Sequence, residues 1–459
     1  MAFEGLMVGV SGVRGRVGEA LTPEVVSHFA AAFGGWAISR SARPTIVVGR
    51  DSRVSGPMFH RAVIAALQSV GATIIDIGMA PTPTVQLAVE HHHAAGGLAI
   101  TASHNPVEWN ALKFIAASGL FLDAAEGAEM RGWLERPIPR AAWNALGELT
   151  TDESAIQRHI DAILALPYID VAGIRAKAFS VALDCCHGAG VTIMPALLEA
   201  LGCTVHAINL EPHGRFHRPP EPVPENLGEL EALVRRTGAS VGFATDPDVD
   251  RLALVSDEGV AIGEDYTLAL ATRVVLRRRP GTVVTNLSTS RIVEDVATEA
   301  GCPVVLSPVG EVNVAVKMRD VGAVVGGEGN GGVILPELHL GRDAPLAVAL
   351  TLQLLHESGG TLSAVVARYP RYSIVKDKLD RPPAPLDSVY ASLRDSFPDA
   401  ETDAQDGLRL SWPDRWVHVR PSGTEPIVRV IAEAPTQAGA LDLVRRCRAP
   451  LDALAPVSS

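Results

Sequence analysis

The chain has 459 residues, of which 47% are hydrophobic and 20% are charged, a composition typical of globular domains. Its 40 Lys and Arg residues and 52 Asp and Glu residues give a net charge of -12, which argues against a protein that coats nucleic acid or anionic lipid. The 42 glycines and 32 prolines exceed average usage and are not periodically spaced, so we expect many shaped loops.

The cysteines and the first residues bear on the cellular location. The five cysteines include the adjacent pair Cys185 and Cys186 but no CxxC pattern, which favours a reducing cytoplasm. The first four residues, MAFE, show no basic segment or long apolar stretch, so no signal peptide is predicted. The longest apolar stretch, near residues 346–355, is too short and too broken to span a bilayer. We therefore expect no membrane or nucleic-acid partner.

Strand-like and helix-like segments alternate along most of the chain, a rhythm that favours parallel or mixed α/β layers. In a first block we predict strands at 45–48, 73–77 and 97–100 and helices at 58–70 and 84–91. In a second block we predict strands at 179–183, 204–208 and 241–244 and helices at 192–201 and 227–237. In a third block we predict strands at 282–286, 304–306, 323–326 and 332–335 and helices at 292–299, 312–321 and 346–357.

The pattern changes near Pro370. A proline-rich connection, DRPPAPL at residues 380–386, precedes a helix, and we then predict strands at 407–411, 416–419 and 427–432 and a helix at 438–448. We therefore predict an α/β protein with three similar mixed-sheet α/β domains and a smaller C-terminal α+β domain. The predicted bounds are 1–150, 151–253, 254–368 and 369–459.

A first candidate site is the segment TASHNP at residues 101–106, which follows a buried strand. It places the Ser103 hydroxyl at a sharp exit from the strand, beside His104, and Pro106 prevents a helix from continuing. Two interpretations stand at this point: an exposed reactive serine, or a turn capped by Ser and Asn. Because no GxSxG pattern is present, acyl-transfer hydrolysis is not supported.

A second candidate site is the segment DPDVDR at residues 246–251. Asp246, Asp248 and Asp250 alternate along an extended segment, so their carboxylates project to one side. Such like charges repel unless a cation lies among them, and ligands that are all oxygen favour a hard ion such as Mg²⁺. An EF-hand would need Gly and Glu where the chain has Arg251 and Asp257, so it is excluded. A solvated acidic turn is the alternative.

Two further loops suit a phosphorylated sugar. GGEGNGG at residues 326–332 offers Glu328 and Asn330 as hydrogen-bonding groups, and its glycines allow a close approach of the backbone. RPSGTEPIVR at residues 420–429 combines arginines, hydroxyls and backbone N–H groups that suit a phosphate dianion. A plain polar turn is the alternative for each. Two more loops with arginines are GVSGVRG at 9–15 and GRDSR at 49–53.

Together, the four motifs make the chain resemble the α-D-phosphohexomutase superfamily over its whole length. Their order and spacing match the phosphoserine, metal, sugar and phosphate loops of that family. The wording GEGNGG, with VGEVN at residues 309–313, is most similar to the archaeal-type phosphoglucosamine mutase group, which overlaps with the phosphomannomutase/phosphoglucomutase enzymes. The resemblance implies four domains around a central cleft.

The resemblance also implies an activity and its cofactors. Ser103 would carry a phosphoryl group, pass it to a hexose 1- or 6-phosphate, and regain the other phosphate after a hexose 1,6-bisphosphate intermediate reorients in the cleft. One Mg²⁺ per chain would be held by Asp246, Asp248, Asp250 and an oxygen of the phosphoserine at Ser103. The preferred reaction is glucosamine 6-phosphate to glucosamine 1-phosphate, with mannose or glucose phosphate as the alternative. The expected partner is a small hexose phosphate, and the expected state is a monomer or a homodimer.

The implied roles of the remaining site residues follow from the same resemblance. Arg14 and Arg251 would face the transferred phosphoryl group, and Glu328 and Asn330 would hold the sugar 3- and 4-hydroxyl groups. Lys113 and His104 are candidates for general acid/base work. The non-reacting phosphate would be bound by Arg420, Ser422, Gly423, Thr424 and Arg429.

The chain departs from the family pattern in the sugar loop, where Asn330 and Gly332 replace the usual Ser and His. Pro308 also stands where many relatives have a Lys. These departures shift the acid/base role toward Lys113 and His104 and bear on the choice of sugar. A non-catalytic sugar-phosphate sensor and a Mg²⁺-dependent phosphatase are the alternatives of other classes.

Overall fold

Four β-sheets follow one another along the chain in the computed structural model, which describes residues 5–41, 44–382, 385–422 and 427–452. The first three sheets mix parallel and antiparallel strands, and the fourth is antiparallel throughout the described residues. The predicted fold class of three mixed α/β domains and a smaller α+β domain is confirmed.

The first sheet has seven strands in the order β1-β2-β6-β5-β3-β4-β7. The elements are β1 (Met7–Val8), β2 (Gly12–Arg16), α1 (Pro23–Ser39), β3 (Thr45–Arg50), α2 (Gly56–Ser69), β4 (Thr73–Met79), α3 (Thr82–His91), β5 (Gly96–Ile100), β6 (Trp109–Ala116), α4 (Ala124–Leu134) and β7 (Leu149–Thr151). The Thr22 hydroxyl accepts from the Val25 N–H and Pro23 follows, which fixes the start of α1.

The second sheet has the order β11-β10-β8-β9. The elements are α5 (Ala155–Leu164), α6 (Val171–Lys177), β8 (Ser180–Asp184), α7 (Met194–Ala200), β9 (Thr204–Ile208), α8 (Gly228–Thr237), β10 (Val241–Thr245) and β11 (Leu252–Val255). The predicted domain division at 253/254 falls within β11, and the division at 150/151 falls within β7. The domain bounds stay a prediction.

The third sheet has the order β13-β12-β14-β15. The elements are α9 (Asp265–Arg278), β12 (Val283–Asn286), α10 (Ile292–Glu299), β13 (Val304–Ser307), α11 (Glu311–Val321), β14 (Val325–Glu328), β15 (Gly332–Ile334), α12 (Ala344–Ser358) and α13 (Leu362–Val366). The strand predicted at 323–326 lies later, because α11 ends in a left-handed Gly322 before β14 begins. Glu328 therefore ends a strand instead of lying in a loop.

The fourth sheet has the order β16-β20-β19-β18-β17. The elements are β16 (Ser373–Asp380), α14 (Asp387–Ser396), β17 (Glu401–Asp403), β18 (Leu408–Ser411), β19 (Trp416–Pro421), β20 (Ile427–Ala434) and α15 (Gln437–Asp452). Its apolar core includes Leu393, Leu408, Val430 and Leu443. This core is separate from those of the other sheets.

The three α/β units repeat one topology. In each, two strand–helix steps lead to a third parallel strand, and an antiparallel hairpin then adds the fourth strand at its side: β3, β4, β5 and β6 in the first unit, β8, β9, β10 and β11 in the second, and β12, β13, β14 and β15 in the third. The candidate motifs lie in these hairpins, β5–β6, β10–β11 and β14–β15, and the fourth lies in β19–β20. The repeated topology thus gives every motif the same place in its own sheet.

The second and third units share one apolar core, which buries α12 almost completely. Its residues 344–355 are all buried, and α12 packs against α5 and α6 as well as against α9. The Asp343 carboxylate caps the helix by accepting from the Leu346 N–H at 2.8 Å. The second and third units therefore have one continuous core instead of two separate ones. Among the described residues, no helix is both long and apolar enough to cross a bilayer.

Candidate active site

The predicted nucleophile lies in the β5–β6 hairpin against the carboxylates of the β10–β11 hairpin. Ser103 is 7% exposed, and its hydroxyl donates to Asp246 Oδ2 at 2.8 Å. Its backbone is left-handed, with φ 47°, and the β-branched Val249 opposite also has a positive φ, 65°. Such conformations are costly for these residue types and are typical of functional loops. The predicted serine and the predicted metal motif therefore meet in space.

Arg53, in the loop after β3, fixes the conformation of the hairpin that carries Ser103. The side chain is fully buried, and its Nε lies 3.1 Å from Asp51 Oδ2. Its guanidinium donates, at 2.7 to 2.8 Å, to four backbone carbonyl groups of the hairpin: those of Ser103, Asn105, Pro106 and Trp109. The Asp51 carboxylate also accepts from the Thr101 hydroxyl at 2.7 Å. The loop that presents Ser103 is thus held by charge-assisted hydrogen bonds.

The three aspartates of the β10–β11 hairpin form a fully buried cluster. One carboxylate oxygen from each of Asp246, Asp248 and Asp250 lies within 4.8 Å of the others. Asp248 Oδ1 and Asp250 Oδ1 have no hydrogen-bond partner in the part of the chain that the structure describes. Buried carboxylate oxygens without partners are costly, and a hard divalent cation is the ligand that would satisfy them. The donor set therefore fits Mg²⁺.

Two positively charged side chains, Lys113 and Arg251, lie next to the aspartates. Lys113, on β6, places Nζ 2.6 Å from Asp248 Oδ2 and 3.6 Å from Asp250 Oδ2. The Thr82 hydroxyl donates to the same Asp248 oxygen at 2.6 Å. Arg251 places Nε 3.7 Å from Asp250 Oδ1 and donates from Nη1 to Glu221 at 3.2 Å.

The charges in this cluster shift one another's proton affinity. Burial, with the charges of Asp250 and Asp248, raises the pKa of Asp246 well above its usual value. Burial would also raise the pKa of Asp248, but the Lys113 ammonium and the hydrogen bonds from neighbouring side chains, Thr82 among them, together hold the pKa below its usual value. Burial opposes the charge on Lys113, yet the two aspartates raise the pKa of its ammonium. Lys113 is therefore a cation at neutral pH.

His104 lies next to the serine and is surrounded by cations. Its Nδ1 is 3.4 Å from Ser103 Oγ. Arg251 is the main reason that the pKa of His104 falls well below its usual value, and burial and Arg14 act in the same direction. Arg14 Nη1 donates to Asn105 Oδ1 at 3.2 Å, so it lies beside the same hairpin. A neutral imidazole can accept a proton from a group bound there.

The predicted sugar loop adjoins the metal motif through a residue that the sequence did not single out. Arg342 contacts Asp250, and its Nη1 donates to Glu328 Oε2 at 2.6 Å. Glu328 Oε1 accepts from the Gly310 N–H at 3.0 Å, and Asn330 Nδ2 donates to Glu328 Oε2 at 3.4 Å. Burial would raise the pKa of Glu328, but Arg342 and Arg251 hold it below its usual value. The ionised carboxylate is an acceptor suited to sugar hydroxyl groups.

The fourth motif is connected to the other three through Asp406. Arg420 Nε donates to Asp406 Oδ2 at 2.8 Å, and the same oxygen accepts from the Val309 N–H at 3.1 Å, next to the residue that binds Glu328. Arg420 lies opposite Arg429 on the paired strands β19 and β20. The Ser422 N–H donates to the Ile427 carbonyl at 2.8 Å, which closes the hairpin. The predicted ligands Gly423 and Thr424 lie outside the described residues.

Comparison with known proteins agrees with this geometry. Four family models match in succession: phosphoglucomutase/phosphomannomutase alpha/beta/alpha domain I at residues 5–135, domain II at 157–259, domain III at 263–372, and the C-terminal domain at 373–449. A probable phosphoglucosamine mutase of Methanopyrus kandleri is 38% identical over 456 residues, which cover 96% of this chain and 98% of that relative.

The chain belongs to the phosphoglucomutase/phosphomannomutase family.

A phosphoglucomutase/phosphomannomutase of Thermococcus kodakarensis is also 38% identical, over 94% of this chain and 95% of its own. The solved structure of a family protein from Burkholderia thailandensis is similar with a TM-score of 0.85 and 25% identity, over 98% of both chains. As a member of the family, the chain is a phosphohexomutase, an intramolecular phosphotransferase of the isomerase class.

Several residues that build the site were not predicted as site residues. Arg53 belongs to the arginine-containing loop GRDSR, to which the sequence gives no role, and Thr82 and Arg342 lie outside every predicted motif. The GRDSR segment carried a usable pattern, because an Asp two residues before an Arg can form the buried pair seen here. Thr82 and Arg342 carry no local pattern, because their partners lie far along the chain.

Proposed function

We propose that this phosphohexomutase converts glucosamine 6-phosphate to glucosamine 1-phosphate through a phosphoserine at Ser103. The observation that carries the proposal is the Ser103 hydroxyl, which donates to Asp246 at 2.8 Å within a buried cluster of three aspartates. A serine held against an oxygen-only cation site suits phosphoryl transfer better than a structural turn, because a plain turn needs no buried carboxylates.

In the proposed reaction, a hydroxyl oxygen of the hexose phosphate attacks the phosphorus of the phosphoserine. The new bond joins the sugar oxygen to phosphorus, and the bond between Ser103 Oγ and phosphorus breaks. The sugar hydroxyl proton passes to a base, and Ser103 Oγ takes up a proton from an acid to become a hydroxyl group. The bisphosphorylated sugar then turns in the site, and its other phosphoryl group returns to Ser103 Oγ by the reverse step. Atoms and charge balance over the cycle, and the products are the isomeric hexose phosphate and the phosphoenzyme.

Each predicted site residue has a proposed role in this cycle. When bound by Asp246, Asp248 and Asp250, Mg²⁺ would supply positive charge that stabilises the transferring phosphoryl group. Arg14 and Arg251 would add further positive charge, and Glu328 and Asn330 would orient the sugar hydroxyl groups. The phosphate that does not react would be bound by Arg420, Ser422, Gly423, Thr424 and Arg429.

His104 and Lys113 are the proposed proton-exchanging residues. We assign His104 the role of proton acceptor, because its ring nitrogen is 3.4 Å from Ser103 Oγ and the neighbouring arginines disfavour its charged form. We assign Lys113 the role of a fixed cation or proton donor, because its ammonium group lies against two aspartates. Replacing His104 with Gln should lower kcat about a hundredfold while leaving KM for the hexose phosphate nearly unchanged.

The choice of sugar is supported by the relatives, several of which are named probable phosphoglucosamine mutases, with phosphoglucomutase/phosphomannomutase as the alternative name among them. Coupled assays with the 6-phosphates of glucosamine, mannose and glucose decide between these substrates. The proposal expects the highest kcat/KM for glucosamine 6-phosphate. A strong preference for mannose 6-phosphate would overturn the glucosamine assignment and leave the mutase assignment standing.

The same assays separate a mutase from a phosphatase. A mutase returns the phosphoryl group to Ser103, so inorganic phosphate should not accumulate as the substrate is consumed. Steady release of inorganic phosphate at the rate of substrate loss would contradict the proposed cycle. The cytoplasmic location and the state as a monomer or a homodimer stay predictions.

A further inference from the structure

One buried arginine joins the predicted metal ligands to the predicted sugar ligands. Arg342 is 7% exposed and lies between three carboxylates from three different elements: Asp250 of the β10–β11 hairpin, Glu328 at the end of β14, and Glu311 at the start of α11. Its Nη1 is 2.6 Å from Glu328 Oε2, and its Nε is 3.2 Å from Glu311 Oε2. The Arg342 backbone N–H also donates to Glu311 Oε1, at 3.1 Å.

A glycine in the sugar hairpin leaves the space that this side chain occupies. A Cβ atom added at Gly332 would lie 2.2 Å from Arg342 Cδ and 2.8 Å from Cγ. Carbon atoms do not approach so closely, so any side chain at position 332 would displace the aliphatic part of Arg342. Gly332 is also the position where the family pattern commonly has a histidine. The glycine at position 332, in place of histidine, therefore makes room for the buried guanidinium group of Arg342.

The contacts of Arg342 leave the neighbouring carboxylates oriented for their proposed ligands. The guanidinium donates to Asp250 Oδ2, whereas Asp250 Oδ1 has no hydrogen-bond partner among the described residues. Arg342 also donates to one oxygen of Glu328, while Asn286 Nδ2 and the Gly310 N–H donate to the other, so the carboxylate plane is fixed. A guanidinium can do this because its donors form a planar fork, which an ammonium lacks.

We propose that Arg342 is a positioning residue that holds Asp250 of the metal triad and Glu328 of the sugar hairpin in one fixed arrangement, and that Gly332 is required to admit it. This inference rests on the proposed function for the role of Glu328, but the Asp250 part concerns the cation site alone. Arg342 would therefore support both the binding of the divalent ion, through Asp250, and the binding of the hexose phosphate, through Glu328.

The test compares Arg342→Met, Arg342→Lys and a control, Arg409→Met. Arg409 is also a buried arginine that faces a carboxylate, at 3.6 Å from Glu294, but it lies in the fourth sheet. Mn²⁺ binding to the purified proteins is measured by electron paramagnetic resonance, and KM for the hexose phosphate is measured by coupled assay. Arg342→Met should weaken Mn²⁺ binding about tenfold or more and raise KM by a similar factor. Arg409→Met should change neither.

A double-mutant cycle tests the part played by Gly332. Gly332→Ala should reproduce the weaker Mn²⁺ binding and higher KM of Arg342→Met, because the added methyl group displaces the same side chain. Combining the two substitutions should add little to either one alone, since both remove the same contact. Circular dichroism checks that each variant is folded. Arg342→Lys, which keeps the charge and most of the volume, should give an intermediate loss.

The outcomes separate the inference from the proposed function. If Arg342→Met or Arg342→Lys binds Mn²⁺ within twofold of the unchanged protein and keeps its KM, the positioning role is wrong. Fully additive effects of Gly332→Ala and Arg342→Met would show that the two positions do not share one arrangement. If the unchanged protein turns over no hexose phosphate, the proposed function fails, but the Mn²⁺ measurement still decides the role of Arg342 at the cation site.

Discussion

Buried arginines decide the shape of this site at the scale of single residues. Arg53 holds the hairpin that presents Ser103, and Arg342 holds the carboxylates of two other hairpins. Both side chains are buried, so a hydrogen-bond partner that is lost is not readily replaced by water and each bond is costly to break. The residues proposed to take part in the reaction are thus held in place by residues that do not take part in it.

Replacing Arg53 with Met should therefore destabilise the protein strongly. The substitution would leave the Asp51 carboxylate buried without its partner and would leave four carbonyl groups of the hairpin without donors. We expect a loss of about 3 kcal/mol or more in the free energy of unfolding, measured by denaturant titration. Arg61→Met, at an exposed position on α2, is the control and should stay within about 0.5 kcal/mol. Equal losses for both variants would contradict the role given to Arg53.

A histidine between the third and fourth sheets should make stability depend on pH. Burial lowers the pKa of His418 to about 4, and the side chain bonds to the Ser288 hydroxyl and the Asp406 carbonyl. Because the folded pKa lies below the unfolded one, the contribution of His418 to stability is complete above the usual histidine pKa, about 6.5. It is lost progressively as the pH falls from there toward 4.

Thermal unfolding between pH 7.5 and 4.5 measures this effect. The unfolding temperature of His418→Gln should fall less steeply with decreasing pH than that of the unchanged protein. His217→Gln, which changes an exposed histidine, should follow the unchanged protein. Identical slopes for all three proteins would mean that His418 does not take up a proton on unfolding.

At the scale of elements, the sequence predicted most of the repeated strands and helices but few of the flanking ones. The strands at 45–48, 73–77 and 204–208 lie within β3, β4 and β9, because β-branched runs between turns identify strands. Helix α1 (Pro23–Ser39) was not predicted. Its residues 29–37 are all buried, including Gly34 and Gly35, so it has no polar face that would produce helical periodicity.

Site residues were predictable where a motif is local and not where partners are distant. The alternating aspartates of 246–250 indicated a cation site because their spacing places them on one side, and the structure brings them within 4.8 Å. The contact between Ser103 and Asp246 joins residues 143 positions apart; no local pattern indicates it, and only the family resemblance implied that the two lie together. Nor does a local pattern indicate the contact of Arg342 with Asp250, which lies 92 positions away.

Helix α12 offers a test of the shared core. Leu350 is fully buried in the core that residues of the second and the third unit share, so Leu350→Ala would leave a cavity in that core. We expect a loss of about 2–5 kcal/mol, seen as a lower denaturant midpoint. Leu441→Ala, at a position that is 47% exposed on α15, is the control and should change little. Hydrogen exchange should speed up in both the second and the third sheet; faster exchange in one sheet alone would contradict a common core.

At the scale of the whole molecule, one unit used three times and a smaller fourth domain bring four hairpins together. The rhythm of strands and helices and the change of pattern near Pro370 predicted four domains, but the sequence did not indicate that the second and third units share their core. That sharing follows from α12, whose apolar residues cover its whole circumference. The first three motifs meet through direct contacts, and Asp406 connects the fourth to them.

The central claim is that Ser103 carries the phosphoryl group. Intact-protein mass spectrometry after incubation with Mg²⁺ and a hexose 1,6-bisphosphate tests it directly. The unchanged protein should then have a mass one phosphoryl group above that of its sequence, with the group located on Ser103 by peptide mapping, and Ser103→Ala should have the mass of its sequence alone. A phosphoryl group that also appears on Ser103→Ala, or an unphosphorylated unchanged protein that turns over hexose phosphate, would contradict the assignment.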